Sequence, residues 1–214
     1  MTPMKRIFDL GAVVFLGTIL SPLIIGLIVV ILLTEGRPIF YVSERMKTPD
    51  RAFKLWKFRT MRVVENDFGV SGGDKADRIT PIGHFLRRTR TDELPQLWNV
   101  LRGDLSFVGP RPPLRRYVEL RPDLYRQVLK SRPGITGLAT LVYHHTEEEL
   151  LNTCKTPEET EAVYVRRCVP RKAALDLVYA RRRNVCVDFR LMVATVFRRW
   201  APGRQGRERR QPSP

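Results

Sequence analysis

The sequence predicts an α+β, mainly helical protein that associates with a membrane. Three observations support this fold class: a long apolar run over residues 7–33, two short strand-like runs within residues 36–61, and repeated helical spacing after residue 80. The length of 214 residues predicts one main domain that can bury a hydrophobic core.

The apolar run over residues 7–33 is interrupted only by Asp9, Thr18 and Ser21. A straight helix of this length would extend about 40 Å, enough to cross a hydrocarbon core of about 30 Å. The run is too long for the apolar region of a signal peptide, and no clear small-residue cleavage site follows it. We therefore expect it to remain in the mature protein. Considered alone, it predicts a membrane-spanning helix.

Two features of this run favour a bent segment that enters and leaves on one face of the membrane. Pro22 follows Ser21 at its centre, where a proline removes a backbone hydrogen bond and kinks a helix. Basic residues flank both ends, so the charges give no preferred direction of crossing. Lys5 and Arg6 against Asp9 give the first 34 residues a net charge of +1, which leaves +15 of the total +16 for the rest of the chain. That part would lie beside an anionic leaflet.

The formal net charge of +16 calls for an anionic partner: nucleic acid, a membrane surface or a phosphorylated substrate. The sequence contains no helix-turn-helix, zinc-finger or RNA-binding signature, so only the charge supports a nucleic-acid partner. The three cysteines are far apart and form no C-x-x-C motif. This spacing argues against a zinc site or a disulfide framework and suits a reducing compartment.

Residues 36–61 are predicted to form a small β-hairpin. The runs PIFYV and FKLWKF are rich in aromatic and β-branched residues, and the turn-prone KTPDR lies between them. Lys54, Lys57 and Arg59 alternate with apolar residues, a pattern that could bind single-stranded nucleic acid. We favour a half-buried amphipathic strand with solvated lysines. The glycine-bearing residues 64–80 then predict a mobile loop, and residues 81–90 a short helix.

The most informative stretch is RRTRTDELPQLWNVLRGDLSFVGPRP at residues 87–112. It places the acidic residues Asp92 and Glu93 directly after a basic cluster. Pro95 suits the first turn of a helix, where N–H groups have no intrahelical partner to lose. Apolar residues at helical spacing behind the acids predict a buried stripe, which consists of Leu94, Leu97, Trp98 and Leu101.

The residues alone leave two interpretations of Asp92 and Glu93 open. Acidic residues are favoured at helix N-termini, where they cap N–H groups and suit the helix dipole. Alternatively, an ionised carboxylate among guanidinium groups can attack phosphorus, while the arginines grip the oxygens of a diphosphate. The second carboxylate could then hold a Mg²⁺ ion that bridges the same oxygens.

The remaining helices are predicted at residues 114–130, with an interruption at Pro122, and at residues 175–200, with two helical patterns. Arg111 is held in a rigid loop between two prolines, and Arg132 begins a similar turn. Each could be an exposed arginine or a phosphate ligand. The Pro- and Gly-rich basic tail at residues 201–214 is predicted to be disordered.

Several polar residues in the second half have mainly structural interpretations. We expect His144 and His145 at the surface, because no H-E-x-x-H motif accompanies them. The acidic residues 147–149 are interpreted as a solvated helix face. Asp176 and Asp188 could cap a helix or pair with the arginines at residues 181–183.

Several segments, in order along most of the chain, resemble the bacterial sugar transferases, the monotopic polyprenol-phosphate phosphoglycosyl transferases of the small single-domain type. The most specific is TDELPQLWNVLRGDLSFVGPRP at residues 91–112. The others are KRIFDL (5–10), SP (21–22), FKLWKFRTM (53–61), DRITPIGHFLRR (77–88), RPGITGLA (132–139) and LDLVYARRRNVCVDFRLMVATV (175–196). After Ala139, TLVYHHTEEELLNTCKTPEETEAVYV replaces the G-R-N segment and tryptophan of most members, so the resemblance does not cover the sugar-side contacts.

The resemblance implies a monotopic architecture on the cytoplasmic face of the bacterial inner membrane. Residues 1–35 would form a re-entrant helical hairpin in the membrane, kinked at Ser21 and Pro22. Residues 36–200 would form a cytoplasmic catalytic domain. Membrane lipid is therefore an expected partner and nucleic acid is not, while the oligomeric state, including a homodimer, is left open.

The resemblance also implies an enzyme that transfers a sugar-1-phosphate from a UDP-sugar to undecaprenyl phosphate and releases UMP. Asp92 would form a covalent phosphosugar intermediate, and Glu93 would bind Mg²⁺. Arg87 and Arg111 would contact the substrate phosphates. Weaker expectations place Arg132 in the same pocket and Arg59 at a phosphate or the membrane. The product would initiate an exopolysaccharide or O-antigen-type glycan.

A catalytically inactive, membrane-tethered scaffold for glycan assembly is an alternative from another class. It predicts that Asp92→Asn leaves glycan production intact, while deletion of residues 7–33 abolishes it. A nucleic-acid binder would instead retain RNA or DNA, in a salt-dependent way, after alanine replacement of Asp92.

Overall fold

The computed structural model describes residues 2–63 and 77–196. The predicted tail at residues 201–214 and most of the predicted loop at residues 64–80 lie outside these ranges. The described chain is mainly helical, as predicted. In order, its elements are α1 (Pro3–Glu35), β1 (Phe40–Thr48), β2 (Arg51–Phe58), α2 (Pro81–Thr89), a 3₁₀ turn (Thr91–Glu93), α3 (Gln96–Arg102), β3 (Ser106–Val108), α4 (Arg115–Leu120), α5 (Pro122–Val128), β4 (Gly134–Thr136), α6 (Leu138–Asn152), α7 (Pro157–Val163), a π-helical turn (Tyr164–Cys168), α8 (Val169–Arg182) and α9 (Val185–Val196).

Helix α1 is continuous and contains Pro22. The Thr2 side chain caps its N-terminus by accepting a hydrogen bond from the backbone N–H of Lys5, and Gly36 ends it with φ of 69°. The helix is long and apolar enough to cross a membrane by length and composition. The re-entrant bend at Ser21 and Pro22 stays a prediction, because helical structure runs through both residues.

One face of α1 lies against the rest of the protein near both ends. In its N-terminal half, Val13 packs into a cluster that includes Val100 and Phe107. In its C-terminal half, Leu27 and Ile31 pack into a second cluster, whose other buried members are Phe58 and Leu86. Large apolar side chains elsewhere on the helix are exposed, among them Ile7, Val14, Phe15, Ile19, Ile25 and Leu33.

The predicted hairpin is confirmed. Strands β1 and β2 pair antiparallel, with Phe40 opposite Phe58. Asn99 of α3 fixes this hairpin because its buried amide accepts a hydrogen bond from the N–H of Trp56 at 3.1 Å and donates one to the carbonyl of Lys54 at 2.8 Å. The strand that carries Lys57 is thereby tied to the helix that follows the acidic pair.

The loop that carries Arg111 is held by backbone contacts. Strands β3 and β4 run parallel, and just beyond them Gly109 donates to the carbonyl of Thr136 while Gly134 donates to the carbonyl of Pro110, both at 2.9 Å. A Cβ atom on Gly134 would lie 2.2 Å from the backbone nitrogen of Gly109, so the two segments approach closely only because both residues are glycine. The segment RPGITG thus supports the loop.

The predicted buried stripe behind the acidic pair is confirmed only in part, because Leu94 and Leu97 are half-buried and pack against the two hydrophobic clusters. Trp98 and Leu101 are exposed, and the buried side chains of α3 are those of Gln96, Asn99 and Val100. The exposed part of the stripe lies beside α1, since the Arg6 side chain of α1 donates hydrogen bonds to the carbonyls of Val100 and Leu101 at 2.6 and 2.8 Å. Helical spacing identifies an apolar face, but such a face suits lipid as well as a protein core.

Candidate active site

A cavity of about 800 Å³ opens between the hairpin, helix α2, the 3₁₀ turn, the Arg111 loop and helices α6 and α8. Its volume lies in the range of small-molecule sites. Asp92 and Glu93 line it together with an unusual number of cationic side chains: Arg45, Lys57, Arg59, Arg62, Arg78, Arg87, Arg88, Arg90, Arg111 and Lys172. This composition suits a ligand that carries several negative charges.

Asp92 and Glu93 are positioned by a sharp change of chain direction after α2. Arg90 adopts a left-handed backbone conformation with φ of 61°, which is uncommon for a residue other than glycine. The chain then forms the short 3₁₀ turn, where Asp92 and Glu93 are only 8% and 9% exposed. The turn therefore directs both carboxylates inward, towards the hairpin.

Both carboxylates have cationic neighbours. Lys57 donates a hydrogen bond of 2.6 Å to Oε1 of Glu93, and its Nζ lies 3.8 Å from Oδ2 of Asp92. Arg111 donates to the same Glu93 oxygen at 3.1 Å. No side-chain hydrogen bond caps the 3₁₀ turn or the N-terminus of α3, although Asp92 and Glu93 both lie in the first turn of the 3₁₀ segment, where acids suit the helix dipole.

The two neighbouring carboxyl groups have pKa values that are shifted in opposite directions. Burial raises the pKa of Asp92; Lys57 works against this shift, while the charge of Glu93 adds to it. Burial would also raise the pKa of Glu93, but Lys57 and Arg111 outweigh it and hold that pKa well below its usual range. Glu93 therefore stays ionised to lower pH than Asp92, and the ionised carboxylate of Asp92 is the more basic of the two.

The predicted arginines occupy different places. Arg87 and Arg111 both line the cavity, and Nε of Arg87 donates to Oγ1 of Thr60 at 3.0 Å. Arg59 also lines it, but its guanidinium donates to the carbonyls of Glu35 and Gly36 at 2.8 and 3.2 Å, at the C-terminus of α1. A cation at a helix C-terminus is favourable, so Arg59 connects the cavity to α1.

Arg132 is not among the residues that line the cavity in the described part of the chain. A Cβ atom on Gly103 would lie 3.4 Å from both the Arg132 and the Arg6 guanidinium groups, which places the two arginines close together near the end of α3. Burial, followed by the charge of Arg6, lowers the pKa of Arg132. The geometry thus gives no support to the expectation that Arg132 faces the substrate pocket.

Sequence reasoning missed several residues that line the cavity. Lys57 was interpreted as a solvated lysine, yet its side chain is 17% exposed and contacts both acids. The alternation of β2 was a usable signal, because Lys57 shares a strand face with the buried Phe53 and Leu55. His144, interpreted as a surface residue, lines the cavity and contacts Arg90, whereas His145 is exposed.

Asp176 and Asp188, from the segment LDLVYARRRNVCVDFRLMVATV, are both buried. Neither Asp176 nor Asp188 pairs with the arginines at residues 181–183 in the described structure. Asp188 is buried, pairs with Lys5 and accepts a hydrogen bond from the hydroxyl of Tyr179 at 2.6 Å. It therefore anchors the N-terminal end of α1 to the rest of the protein.

Within residues 2–63 and 77–196, no group of three or more His, Cys, Asp or Glu side chains could hold a metal ion. Mg²⁺ does not need such a group, since it commonly binds one or two carboxylates, water and substrate phosphates. Lys57 and Arg111 both contact Oε1 of Glu93. The residues present thus fit a magnesium ion held by one carboxylate and the phosphates of a substrate.

Together, the exposed apolar helix and the cationic cavity with buried carboxylates define a membrane-associated protein with a site for a polyanionic ligand. A family model described as bacterial sugar transferase matches residues 1–201. The chain belongs to the bacterial sugar transferase family.

Named relatives agree with this assignment. The chain is 32% identical over 203 residues to the UDP-glucose:undecaprenyl-phosphate glucose-1-phosphate transferase of Escherichia coli, which covers 91% of this chain and 40% of the relative. It is 35% identical over 150 residues to a UDP-N-acetylgalactosamine-undecaprenyl-phosphate N-acetylgalactosaminephosphotransferase of Aeromonas hydrophila. This match covers 67% of this chain and 35% of the relative. An uncharacterized sugar transferase of Bacillus subtilis is 41% identical over 138 residues, a match that covers 64% of this chain and 68% of the relative. The chain thus spans about 40% of the E. coli relative's length.

Proposed function

We propose that this protein transfers a sugar-1-phosphate from a UDP-sugar to undecaprenyl phosphate and releases UMP. The observation that carries this proposal is the contact of Lys57 and Arg111 with the buried acidic pair inside an arginine-lined cavity. Such a site can bind a nucleoside diphosphate and hold a carboxylate against phosphorus. The names of the relatives supply the donor and acceptor classes.

Asp92 acts as the nucleophile. Its carboxylate oxygen attacks the phosphorus that bears the sugar, the bond from that phosphorus to the bridging oxygen breaks, and UMP leaves with the electron pair. An oxygen of undecaprenyl phosphate then attacks the aspartyl-phosphosugar and displaces the Asp92 carboxylate. The product is undecaprenyl diphospho-sugar. Asp92 suits this role because its raised pKa makes the ionised carboxylate more basic than an ordinary aspartate.

The other residues stabilise charge. Arg87 and Arg111 bind the phosphate oxygens, which carry the negative charge of the transition state. Glu93 would hold Mg²⁺, which when bound would supply positive charge to the diphosphate. Lys57 keeps Glu93 ionised and lies close enough to Asp92 to orient it.

The catalytic domain lies on the cytoplasmic face of the inner membrane, and α1 enters the membrane without crossing it. Packing supports this topology. Lys5 pairs with Asp188, and Ile31 packs against Phe58 and Leu86, so residues near both ends of the helix contact the globular part of the protein. A helix that crossed the bilayer would carry one end to the far side, about 30 Å away. The product would serve as the first lipid-linked sugar of an exopolysaccharide or O-antigen-type glycan.

Nucleotide release by the purified chain in lipid nanodiscs tests the reaction. The protein receives a panel of UDP-sugars with Mg²⁺ and undecaprenyl phosphate. We expect UMP with at least one donor, no release after addition of EDTA, and a loss of about 10³-fold or more in Asp92→Asn. Asp123→Asn, whose side chain is 89% exposed on α5, is the matched control and should retain activity.

Intact-mass measurement tests the covalent step. With the active UDP-sugar and no undecaprenyl phosphate, the chain should gain the mass of one sugar phosphate, and Asp92→Asn should not. Release of UDP instead of UMP would replace the mechanism with ordinary glycosyl transfer. Glycan production that survives Asp92→Asn in cells would favour a scaffold.

A further inference from the structure

The side of the cavity formed by α6, the π-helical turn and α8 differs in chemistry from the arginine-rich side. Its charged and aromatic lining residues include His144 and Glu148, which pair with each other, and a further group of four: Glu147, Tyr164, Lys172 and Asp176. Glu147 and Tyr164 come from the segment after Ala139 that departs from the family pattern. We call these four residues the acidic wall. The sequence predicted a solvated helix face at residues 147–149, which is wrong for the half-buried Glu147 and confirmed for the exposed Glu148 and Glu149.

The polar groups of the acidic wall are ordered by one another. Lys172 donates to both oxygens of Glu147, at 2.8 and 3.0 Å, and to the hydroxyl of Tyr164 at 3.4 Å. The Glu147 side chain is 20% exposed, so the pair is sheltered but accessible from the cavity. Such a network presents fixed oxygen acceptors and one aromatic ring, which is the combination that recognises a hydroxylated, partly apolar ligand.

Asp176 completes the wall and has an unused acceptor. The residue is 6% exposed, and its Oδ1 is buried without a hydrogen-bond partner in the described structure. A buried polar atom without a partner costs free energy and calls for an explanation. A donor supplied by a ligand in the cavity would satisfy it. Burial raises the pKa of this carboxyl to about 7, with Lys172 acting in the opposite direction.

Arg111 links the acidic wall to the acidic pair. It donates to Glu93, and its pKa is raised first by Glu93 and, more weakly, by the charges of Glu147 and Tyr164. A diphosphate bound at Arg111 would be repelled by Glu147 and Asp176, so the wall suits an uncharged part of the substrate. In a UDP-sugar, the sugar is joined directly to the phosphorus that Asp92 attacks.

We infer that Glu147, Tyr164, Lys172 and Asp176 form the sugar subsite, and that it selects a neutral hexose or N-acetylhexosamine over a uronic acid. This inference rests on the proposed function. Sugar hydroxyl or acetamido N–H groups donate to the two carboxylates, and the hydroxyl of Tyr164, which accepts from Lys172, donates to a sugar oxygen. A uronic acid would bring a third carboxylate to the wall and would replace one donating hydroxyl group with a charged acceptor.

Calorimetric binding to the full chain in nanodiscs separates the sugar from the nucleotide. The probes are UDP, UDP-glucose, UDP-N-acetylglucosamine, UDP-galactose and UDP-glucuronic acid. We expect the preferred neutral UDP-sugar to bind at least about tenfold more tightly than UDP-glucuronic acid, as for one strong charge mismatch. Asp176→Asn and Glu147→Gln should each weaken binding of the preferred sugar nucleotide by about fivefold or more, while the Kd of UDP stays within about twofold.

Glu149→Gln is the matched control, because Glu149 lies on the same helix, its side chain is 58% exposed and it does not line the cavity. It should leave all affinities unchanged. Glu147→Gln should also reduce the ratio between the affinities for the neutral UDP-sugar and for UDP-glucuronic acid. A purely structural change would not produce this effect.

Equal losses of UDP and UDP-sugar affinity would assign the wall to the nucleotide and overturn the inference. Unchanged affinities in both variants would show that the acidic wall does not contact the substrate and would also overturn the inference. These outcomes are independent of turnover: selective sugar binding without UMP release would refute the proposed reaction and keep the subsite, whereas UMP release with unaltered binding in the variants would do the reverse. If Asp176→Asn does not fold, Glu147→Gln alone decides.

Discussion

The ammonium group of Lys57 donates a 2.6 Å hydrogen bond to the carboxylate of Glu93, and this contact separates the roles of two adjacent acids. The same nitrogen lies 3.8 Å from Asp92. Two neighbouring carboxylates normally resist simultaneous ionisation. Here the Lys57 ammonium binds Glu93 closely and lies farther from Asp92. Glu93 therefore stays ionised, whereas the pKa of Asp92 is raised.

Replacement of Lys57 by methionine should therefore reduce UMP release by about 10–100-fold, in the range of other residues that position catalytic groups. The methionine keeps much of the apolar stem but removes the charge that stabilises both carboxylates. Lys54→Met is the matched control, since Lys54 lies on the same strand and is exposed. A loss of equal size in both variants would contradict a specific role for Lys57.

The rate of UMP release should fall as the pH is lowered through the pKa of Asp92, because protonation removes the nucleophile. Since burial raises that pKa, the fall should occur above the ordinary aspartate value of about 3.9. Glu93 has a lowered pKa and should stay ionised throughout. Single-turnover rates across pH check this. In Lys57→Met the midpoint should move further upward, and a flat profile down to about pH 4 would exclude the raised pKa.

Gly134→Ala should destabilise the protein and reduce UMP release together. Its Cβ would lie 2.2 Å from the backbone nitrogen of Gly109, so the segments that hold the Arg111 loop must separate. We expect a loss of about 1–3 kcal/mol in the free energy of unfolding, as for other overpacked sites. Gly11→Ala is the control, because nothing lies within 4 Å of an added Cβ there. Unchanged stability and activity in Gly134→Ala would show that the loop does not depend on this contact.

Local chemistry predicted much of this fold and part of the site. The hairpin followed from PIFYV, KTPDR and FKLWKF, and the break between α4 and α5 followed from Pro122. Asp92 and Glu93 could be identified because they are adjacent and follow a run of arginines. Each of these signals depends on neighbours in sequence, which fix turns and local spacing without any tertiary contact.

The errors came from contacts between distant residues. Lys57 meets Glu93 across 36 sequence positions, and Glu147 meets Lys172 across 25. Sequence spacing shows that such side chains are charged but not which charge they meet. For Trp98 and Leu101 the apolar pattern was real, but the pattern is the same for a face turned to lipid and a face turned to the core.

Cysteine labelling in sealed membrane vesicles should show both ends of α1 on the side of the catalytic domain. Thr2→Cys and Arg37→Cys place single thiols at exposed positions before and after the helix, in a Cys186→Ser background. Native Cys186 is exposed and reports the side of the catalytic domain, whereas Cys154 and Cys168 are buried. An impermeant maleimide should label all three positions in inside-out vesicles only. Labelling of residues 2 and 37 from opposite sides would establish a spanning helix.

Asp176→Asn should make the protein more stable at neutral pH while it weakens sugar binding. The folded-state pKa is about 7, whereas an unfolded aspartate has a pKa of about 3.9. Between these values the unfolded chain is ionised and the folded carboxyl holds its proton, so this group makes stability fall as the pH rises from about 4 to about 7, with no further fall above. Asparagine is neutral in both states and removes the effect.

Denaturant unfolding followed by intrinsic fluorescence should thus give a stability gain for Asp176→Asn that is small near pH 4 and reaches on the order of 2–4 kcal/mol at pH 8. The exposed Asp123→Asn should show no such dependence. A gain that does not vary with pH would mean that the Asp176 carboxyl has an ordinary pKa. With the expected gain, the wild-type chain retains a carboxyl that opposes folding, which is the behaviour of a residue kept for its ligand rather than for the fold.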